Sequence, residues 1–343
     1  MLAHLLDCTK QKIRIHLDTI KDKTATKDKR IIAFDPKIGS ENLGDWIISY
    51  YSQLQLRELF SEEQIGIAPI HVVPDFQIIN SLSHYKYRIV CGTNLMTPHY
   101  EWYSNWKIPS NFTGYREIIT FAVGWGTYCE EISERSRLVY NTILSKNGFH
   151  SVRDSYTEMK FHQMGIHNVI NTGCVTLWNL TQEHCQKIPK HKCDRVITTI
   201  TDYDTDETND KLMLDILLDK YREVFVWLQG TADEKYLRKY HQIEKLNIIG
   251  NDLNSFNNIL SQSKIDYVGT RLHAGIHAMN YGIRSIIIAI DNRAIEMGKD
   301  FNLPIILRNE IGEKLADKID NDFETIIRLP SENIKKWKSQ FRM

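Results

Sequence analysis

The chain has 343 residues, 43 of them basic and 43 acidic, so its formal net charge is zero. That balance argues against a dedicated nucleic-acid binder, which carries a basic excess. With 42% hydrophobic and 25% charged residues the chain is no disordered tail either, and its length corresponds to about two domains.

Residues 1–30 are polar and mixed in charge, and we expect them to be an N-terminal extension. The apolar run Ile31–Phe34 ends at Asp35-Pro36 and predicts a buried strand. A glycine-bearing loop follows, then a helix opened by Asp45 with Ile47, Ile48, Tyr51 and Leu54 on one face. Strands are predicted at Pro69–Val73, Tyr87–Cys91, Glu117–Val123, His150–Val152 and Val169–Asn171, and helices at Glu131–Leu144 and Ser155–Met164. The aperiodic polar stretch 181–193, with Pro189, is expected as a linker between an N-terminal domain (31–180) and a C-terminal one (194–308). The second domain repeats the alternation. Its strands are predicted at Arg195–Ile200, Glu223–Leu228, Leu246–Ile249, Ile265–Val268 and Ser285–Ile290, and its helices at Asp210–Lys220, Asp233–Tyr240, Ser255–Ser261 and His273–Tyr281. Residues 309–343 form an amphipathic helical tail. Such alternation predicts an α/β protein of two Rossmann-like, parallel-sheet domains facing across a cleft.

The opening residues Met1–Lys10 do not resemble a signal peptide, and the longest apolar run, Ile286–Ile290, is too short to span a membrane. Six scattered cysteines point to reduced thiols in the cytoplasm.

Five strand-end motifs could carry chemistry. Asn42, Gly44 and Asp45 form a turn where backbone N–H groups can approach an anion, or simply a capped helix start. Gly92 and Gly124 follow two apolar strands, where the loops of open α/β sheets line the ligand crevice. Arg153 beside Asp154 can clamp a carboxylate or phosphate, or pair with its neighbour. Thr270-Arg271-Leu272-His273 places fixed positive charge and a titratable imidazole at a helix start. His273 and His277 lack the glutamate of a zinc helix, and Asp202, Asp204 and Asp206 lack the glycine and glutamate of a calcium loop. The acidic residues are expected to be a solvated loop. His184, Cys185, His191 and Cys193 match no common zinc spacing.

Taken in order, Asn42-x-Gly44-Asp45, the turns at Gly92 and Gly124, Ser151-Val152-Arg153-Asp154, Gly165-Ile166 with Gly173-Cys174, and Gly269-Thr270-Arg271-Leu272-His273-Ala274 followed by Ala278-x-x-x-Gly282 resemble the polysaccharide pyruvyltransferases over roughly residues 31 to 305. Trp46 and Val175-Thr176 depart from the family's usual residues. The resemblance implies a GT-B-like pair of domains and transfer of a pyruvyl group from phosphoenolpyruvate to a sugar or lipid-linked glycan, closing a ketal, with no cofactor or metal. Arg153 and Arg271 would clamp the donor, with His273 as general acid and Asp45 as base. Asn42, Gly44, Gly92, Gly124 and Thr270 would complete the substrate-binding set. The competing expectations are a glycosyltransferase using a nucleotide sugar and a non-catalytic saccharide-binding protein of the same fold. Basic ends, with eight Lys/Arg against four Asp in residues 1–30 and four against one Glu in Ser331–Met343, beside Trp337 and Phe341, fit peripheral contact with the inner face of a membrane.

Overall fold

A computed structural model describes residues 29–110, 114–262 and 264–341. The expected extension, 1–30, and its basic cluster therefore lie almost wholly outside the described residues. The chain divides into two compact units. The first takes in the described residues up to Gly39, Ser49–Val175 and the segment from Pro330; the second takes in Ser40–Ile48 and Thr176–Leu329.

In the first unit β1 (Lys29–Asp35) is followed by α1 (Leu43–Leu59), β2 (Ile65–Pro69), α2 (Phe76–Ser81), β3 (Tyr85–Cys91), β4 (Asn94–Met96), β5 (Ile118–Phe121), β6 (Gly124–Trp125), α3 (Glu134–Ile143), β7 (His150–Val152), α4 (Ser155–Gln163) and β8 (Val169–Asn171). Its main sheet is parallel, in the order β2-β1-β3-β5. A bridge from Val123 to Val152 and the β7–β8 ladder continue that direction. Phe34, Val90, Trp106, Tyr115, Trp125 and Tyr140 belong to one core. The second strand lies four residues earlier than the expected Pro69–Val73, because Val72 and Val73 are about half exposed in the loop that follows. The first helix starts at Leu43, since the Asn42 side chain accepts the Gly44 N–H at 3.0 Å. Asp45 therefore sits inside the first turn rather than opening the helix.

In the second unit β9 (Arg195–Thr198) follows the short α5 (Gln182–Gln186), which forms within the expected linker. Then come α6 (Glu207–Lys220), β10 (Glu223–Trp227), α7 (Asp233–Leu237), β11 (Asn247–Ile249), α8 (Leu253–Ser261), β12 (Asp266–Gly269), α9 (Leu272–Asn280), β13 (Ser285–Ala289), α10 (Asn292–Phe301), β14 (Ile305–Leu307) and α11 (Ile311–Asp320). All six strands are parallel, in the order β11-β10-β9-β12-β13-β14. This is the doubly wound dinucleotide-fold order, and it reverses direction between β9 and β12. Every residue of β12 and β13 is buried, as expected for central strands covered on both faces.

The last helix, α12 (Ser331–Ser339), completes the first unit. Trp337 stacks on Phe121 with centroids 4.4 Å apart, and its Nε1–H donates to the Thr120 carbonyl at 3.2 Å. Phe341 packs edge-on against Tyr87. Both aromatics are buried, so neither is offered to a membrane as the sequence suggested: their apolar area is spent on the core. No helix among the described residues is long and apolar enough to cross a membrane.

His150 illustrates how the first core depends on protonation. Its Nε2–H donates to the Ser145 carbonyl at 2.9 Å, and Nδ1 accepts the Thr120 N–H at 3.2 Å. The ring is satisfied when neutral, and burial pushes its pKa down to about 4. Burial does the same to His277 in α9, also to about 4. Each histidine is deprotonated in the fold while the unfolded chain takes up a proton near pH 6.5, so stability is present above that pH and lost on acidification toward 4. We expect about 2 kcal/mol lost per histidine at pH 5. Urea titrations at pH 7 and 5 check this; an unchanged midpoint would contradict it.

Candidate functional site

The second unit builds a pocket at its sheet's switch point, where the loops after β9 and β12 diverge and ligands bind in doubly wound folds. Asn42, Gln229, Thr270, Arg271, His273 and Arg293 line a tight cleft whose cavity volume is about 10 Å³, room for about one water. The β12 exit is locked by hydroxyls: Thr270 Oγ1 lies 2.7 Å from Thr201 Oγ1, and the Arg271 N–H donates to Thr199 Oγ1 at 3.2 Å. A Cβ at Gly269 would stand 2.5 Å from that same Thr199 oxygen, so the turn tolerates only glycine without rearrangement. His273 follows in the first turn of α9, largely buried at the pocket wall.

Arg271 is buried and heavily engaged. Nε donates to the Ile200 carbonyl at 3.2 Å, and Nη2 is shared by Asp202, at 2.9 Å, and Asp233. The Asp233 carboxylate also accepts the N–H groups of Asp202, Gln229 and Gly230. Burial pushes its carboxyl above the ordinary value, against the pull of Arg271. The guanidinium expected as a clamp thus has two of its nitrogens, Nε and Nη2, committed to holding three loops together. The acidic loop is not merely solvated: Asp202 serves Arg271, Asp206 caps α6 by accepting the Asn209 N–H, and Asp210 pairs with Arg308.

Sequence reasoning missed Tyr203, Gln229, Asp291 and Arg293. Arg293 donates from Nε to Asp291 at 2.8 Å and from Nη2 to Tyr203 Oη at 2.7 Å. The Tyr203 ring has the Arg271 guanidinium 4.9 Å and the Arg293 guanidinium 5.8 Å from its centroid, both within cation–π range. The available signal was Asp291 as a helix cap followed by Ala294, Met297 and Phe301 at helical spacing.

Gln229 Nε2–H donates to Asn42 Oδ1 at 2.8 Å, and the Leu43 N–H donates to the Gln229 carbonyl at 3.3 Å. A Cβ at Gly44 would press on both side chains. Asp45, expected as a base, is buried and accepts the Ser40 hydroxyl at 2.6 Å. It closes its own loop and is not among the described residues lining the pocket.

The first unit holds the other expected residues. Arg153 is 1% exposed. Its N–H donates to the Val123 carbonyl at 2.9 Å and its Nε to Asp154 at 3.2 Å, while Nη1 and Nη2 are buried with no hydrogen-bond partner. Other buried arginines differ: Arg88 caps the Leu82 and Arg116 carbonyls, and Arg284 binds Asp266 and four carbonyls. The Arg153 guanidinium lies flat on Gly124, where any Cβ would overlap it, and Gly92 gives the same clearance to the Ala122 carbonyl. Ala122 adopts φ 56°, a left-handed conformation costly for a residue with a side chain. Asn94 Oδ1, on the strand paired with Gly124, is another buried atom without a partner. Such atoms cost about 1–3 kcal/mol each, and the three form a cluster of unsatisfied polar groups beside Gly124.

The cysteine–histidine set does not assemble. His184 Nε2 donates to the Met279 carbonyl at 2.8 Å, the Cys185 thiol donates to the Leu180 carbonyl, and His191 pairs with Asp322. The described cysteines are all unbridged.

The doubly wound α/β fold sets strand-end glycine turns and a cleft histidine at the C-terminal ends of parallel strands, where enzymes of such folds place their ligands. The chain belongs to the polysaccharide pyruvyl transferase family, whose model matches residues 42–292. It is accordingly a transferase of pyruvyl groups in polysaccharide biosynthesis. A search of the curated proteins found no significant match. Among solved structures the chain is similar to UDP-GlcNAc 2-epimerase of Methanocaldococcus jannaschii, at 12% identity and TM-score 0.48 over 92% of this chain and 98% of that one. It is similar also to the wall teichoic acid polymerase TagF, at 12% identity and TM-score 0.41 over 99% and 89%, and to the E. coli heptosyltransferase WaaC, at 10% and 0.32 over 76% and 88%. Similarity this distant carries nothing about substrate.

Proposed function

We propose that the pyruvyl donor is phosphoenolpyruvate and the acceptor a sugar hydroxyl pair on a polysaccharide or lipid-linked precursor. The Arg153 guanidinium carries the donor assignment: its partnerless Nη1 and Nη2 present parallel donors that match a carboxylate or phosphate. His273 is the general acid. It delivers a proton to the donor's methylene carbon. The C2 cation is attacked by one sugar hydroxyl, which loses its proton. The C2–O bond to phosphate then breaks, releasing inorganic phosphate, and the second hydroxyl adds to C2 with loss of its own proton to close the ketal. Arg271 holds the His273 turn in place through Asp202 and Asp233. Arg293, lining the cleft with its Asp291 partner, supplies fixed positive charge on the same wall as His273. The donor carries its own activation, so the reaction needs no cofactor. On this reading the protein works in the cytoplasm, where that donor is a metabolite.

The test has two arms. Phosphoenolpyruvate should raise the melting temperature while a panel of nucleotide sugars should not; stabilisation by a nucleotide sugar alone would sink the proposal. The His273→Ala variant should keep its fold and donor-induced shift yet lose roughly 10²–10⁴-fold in pyruvylation of glycan acceptors followed by mass spectrometry. Parent-like turnover would remove His273 from the acid role.

A further inference from the structure

The loop between β4 and β5 leaves aromatic surface in solvent. Trp102 is 77% and Tyr103 65% exposed, yet both rings are fixed. Trp102 stacks on His99, with centroids 3.9 Å apart and planes within 17°. The N–H groups of Trp102 and Tyr103 both donate to the His99 carbonyl, at 3.1 and 3.2 Å. Tyr103 Oη donates to Asn105 Oδ1 at 2.6 Å. Asn105 in turn is anchored from both sides: its Nδ2 donates to the Asn94 carbonyl at 3.0 Å, and its carbonyl accepts His71 Nδ1–H at 3.1 Å. Asn94 pairs with Gly124, on which the Arg153 guanidinium rests. The exposed rings are thus tied through three residues to the polar cluster of the same unit.

We propose that Trp102 and Tyr103 form a stacking platform for the acceptor saccharide. A pyranose ring has an apolar face of C–H groups and a rim of hydroxyls. The free face of an indole held from behind by His99 suits the first, and pre-fixing the rings lowers the entropy lost on binding. Glu101, between His99 and Trp102 in sequence, accepts the Ser133 hydroxyl at 2.9 Å and has Oε1 3.4 Å from His99 Nδ1; its remaining lone pairs can accept from the second. Glu101 and Lys107, whose ammonium stands 5.8 Å from the Tyr103 centroid, cancel, so the platform lacks the basic excess that an anionic lipid surface attracts. That the occupant is the acceptor rests on the proposed pyruvyl transfer; that it is a saccharide rests on the platform alone.

The experiment titrates the parent protein with hexamers of glucose (α-1,4 and β-1,4), mannose, galactose and N-acetylglucosamine, reading tryptophan emission and heat. Vesicles of phosphatidylglycerol and phosphatidylcholine, and phosphoenolpyruvate thermal shifts, run alongside. At least one hexamer should bind. Its affinity should fall about tenfold or more in Trp102→Ala and Tyr103→Ala and persist largely in Trp102→Phe, while the phosphoenolpyruvate shift stays as in the parent. No binding by any hexamer, equal binding by Trp102→Ala, or vesicle binding that alone depends on Trp102 would overturn the proposal. A parent protein that ignores phosphoenolpyruvate would fell the donor assignment instead, and the hexamer result would still decide the platform.

Discussion

Arg153→Gln should leave the protein about as stable as the parent and nearly inactive. Glutamine places its Nε2 where arginine has Nε, so the donor to Asp154, at 3.2 Å in the parent, is retained. What disappears is the pair of Nη groups that are buried without partners. Burying donors unsatisfied costs free energy, so their removal offsets the loss of charge beside Asp154, and the melting temperature should move by only a few degrees, corresponding to roughly 1 kcal/mol. Function is another matter. Truncating one side of a buried, charge-assisted pair with an anionic ligand costs about 2–5 kcal/mol, or about 30- to 5,000-fold in kcat/KM for the donor. Steady-state kinetics with varied phosphoenolpyruvate, beside a melting curve, separates the two effects. A variant that loses stability and keeps kcat/KM would make Arg153 a structural residue.

The largest stability effect should come from Asp233→Ala. That carboxylate accepts the N–H groups of Asp202, Gln229 and Gly230 and pairs with Arg271. Removing it strands three amide donors and half-orphans a buried guanidinium, which predicts about 3–5 kcal/mol of destabilisation. Arg271→Met should cost less. Burial already pushes the Asp233 carboxyl upward, so without its partner it can take a proton and become neutral. Asp202→Ala should be milder still, because that side chain is 30% exposed and water replaces it. Denaturant unfolding at pH 7 ranks the three. Equal effects, or a cost below about 1 kcal/mol for Asp233→Ala, would show that the network does not hold the pocket.

What the sequence could and could not reveal follows from how far each cause reaches. The central strands were legible because a strand covered on both faces is an unbroken apolar run, as in Ser285–Ala289. The strand-end turns were legible because Gly92, Gly124 and Gly269 answer to close approaches that any Cβ would block. The mislaid second strand shows the limit: Pro69–Val73 and Ile65–Pro69 are similarly apolar, and only pairing with β1 decides between them. α10 escaped notice because its apolar positions are spread among charged ones, and Arg293 went with it. The engagement of Arg271 was invisible for a different reason. Its carboxylates, Asp202 and Asp233, stand 69 and 38 residues away in the chain, and no local pattern encodes such a meeting. An acid in a first helical turn, such as Asp45, satisfies the helix dipole whether or not it faces a substrate, so its sequence position alone does not identify a base.

The interleaving of the units also has a consequence for how the protein is made. Trp337, stacked on Phe121, belongs to a helix that the ribosome delivers only after the 154 residues from Thr176 to Leu329. At roughly 5–20 residues per second, the sheet of the first unit waits about 8–30 s with the Phe121 face uncovered. The second unit, apart from the early segment Ser40–Ile48, is contiguous and can close as it emerges. During synthesis the nascent chain therefore carries its youngest domain finished and its oldest one open, and the first unit is where chaperones should be found waiting.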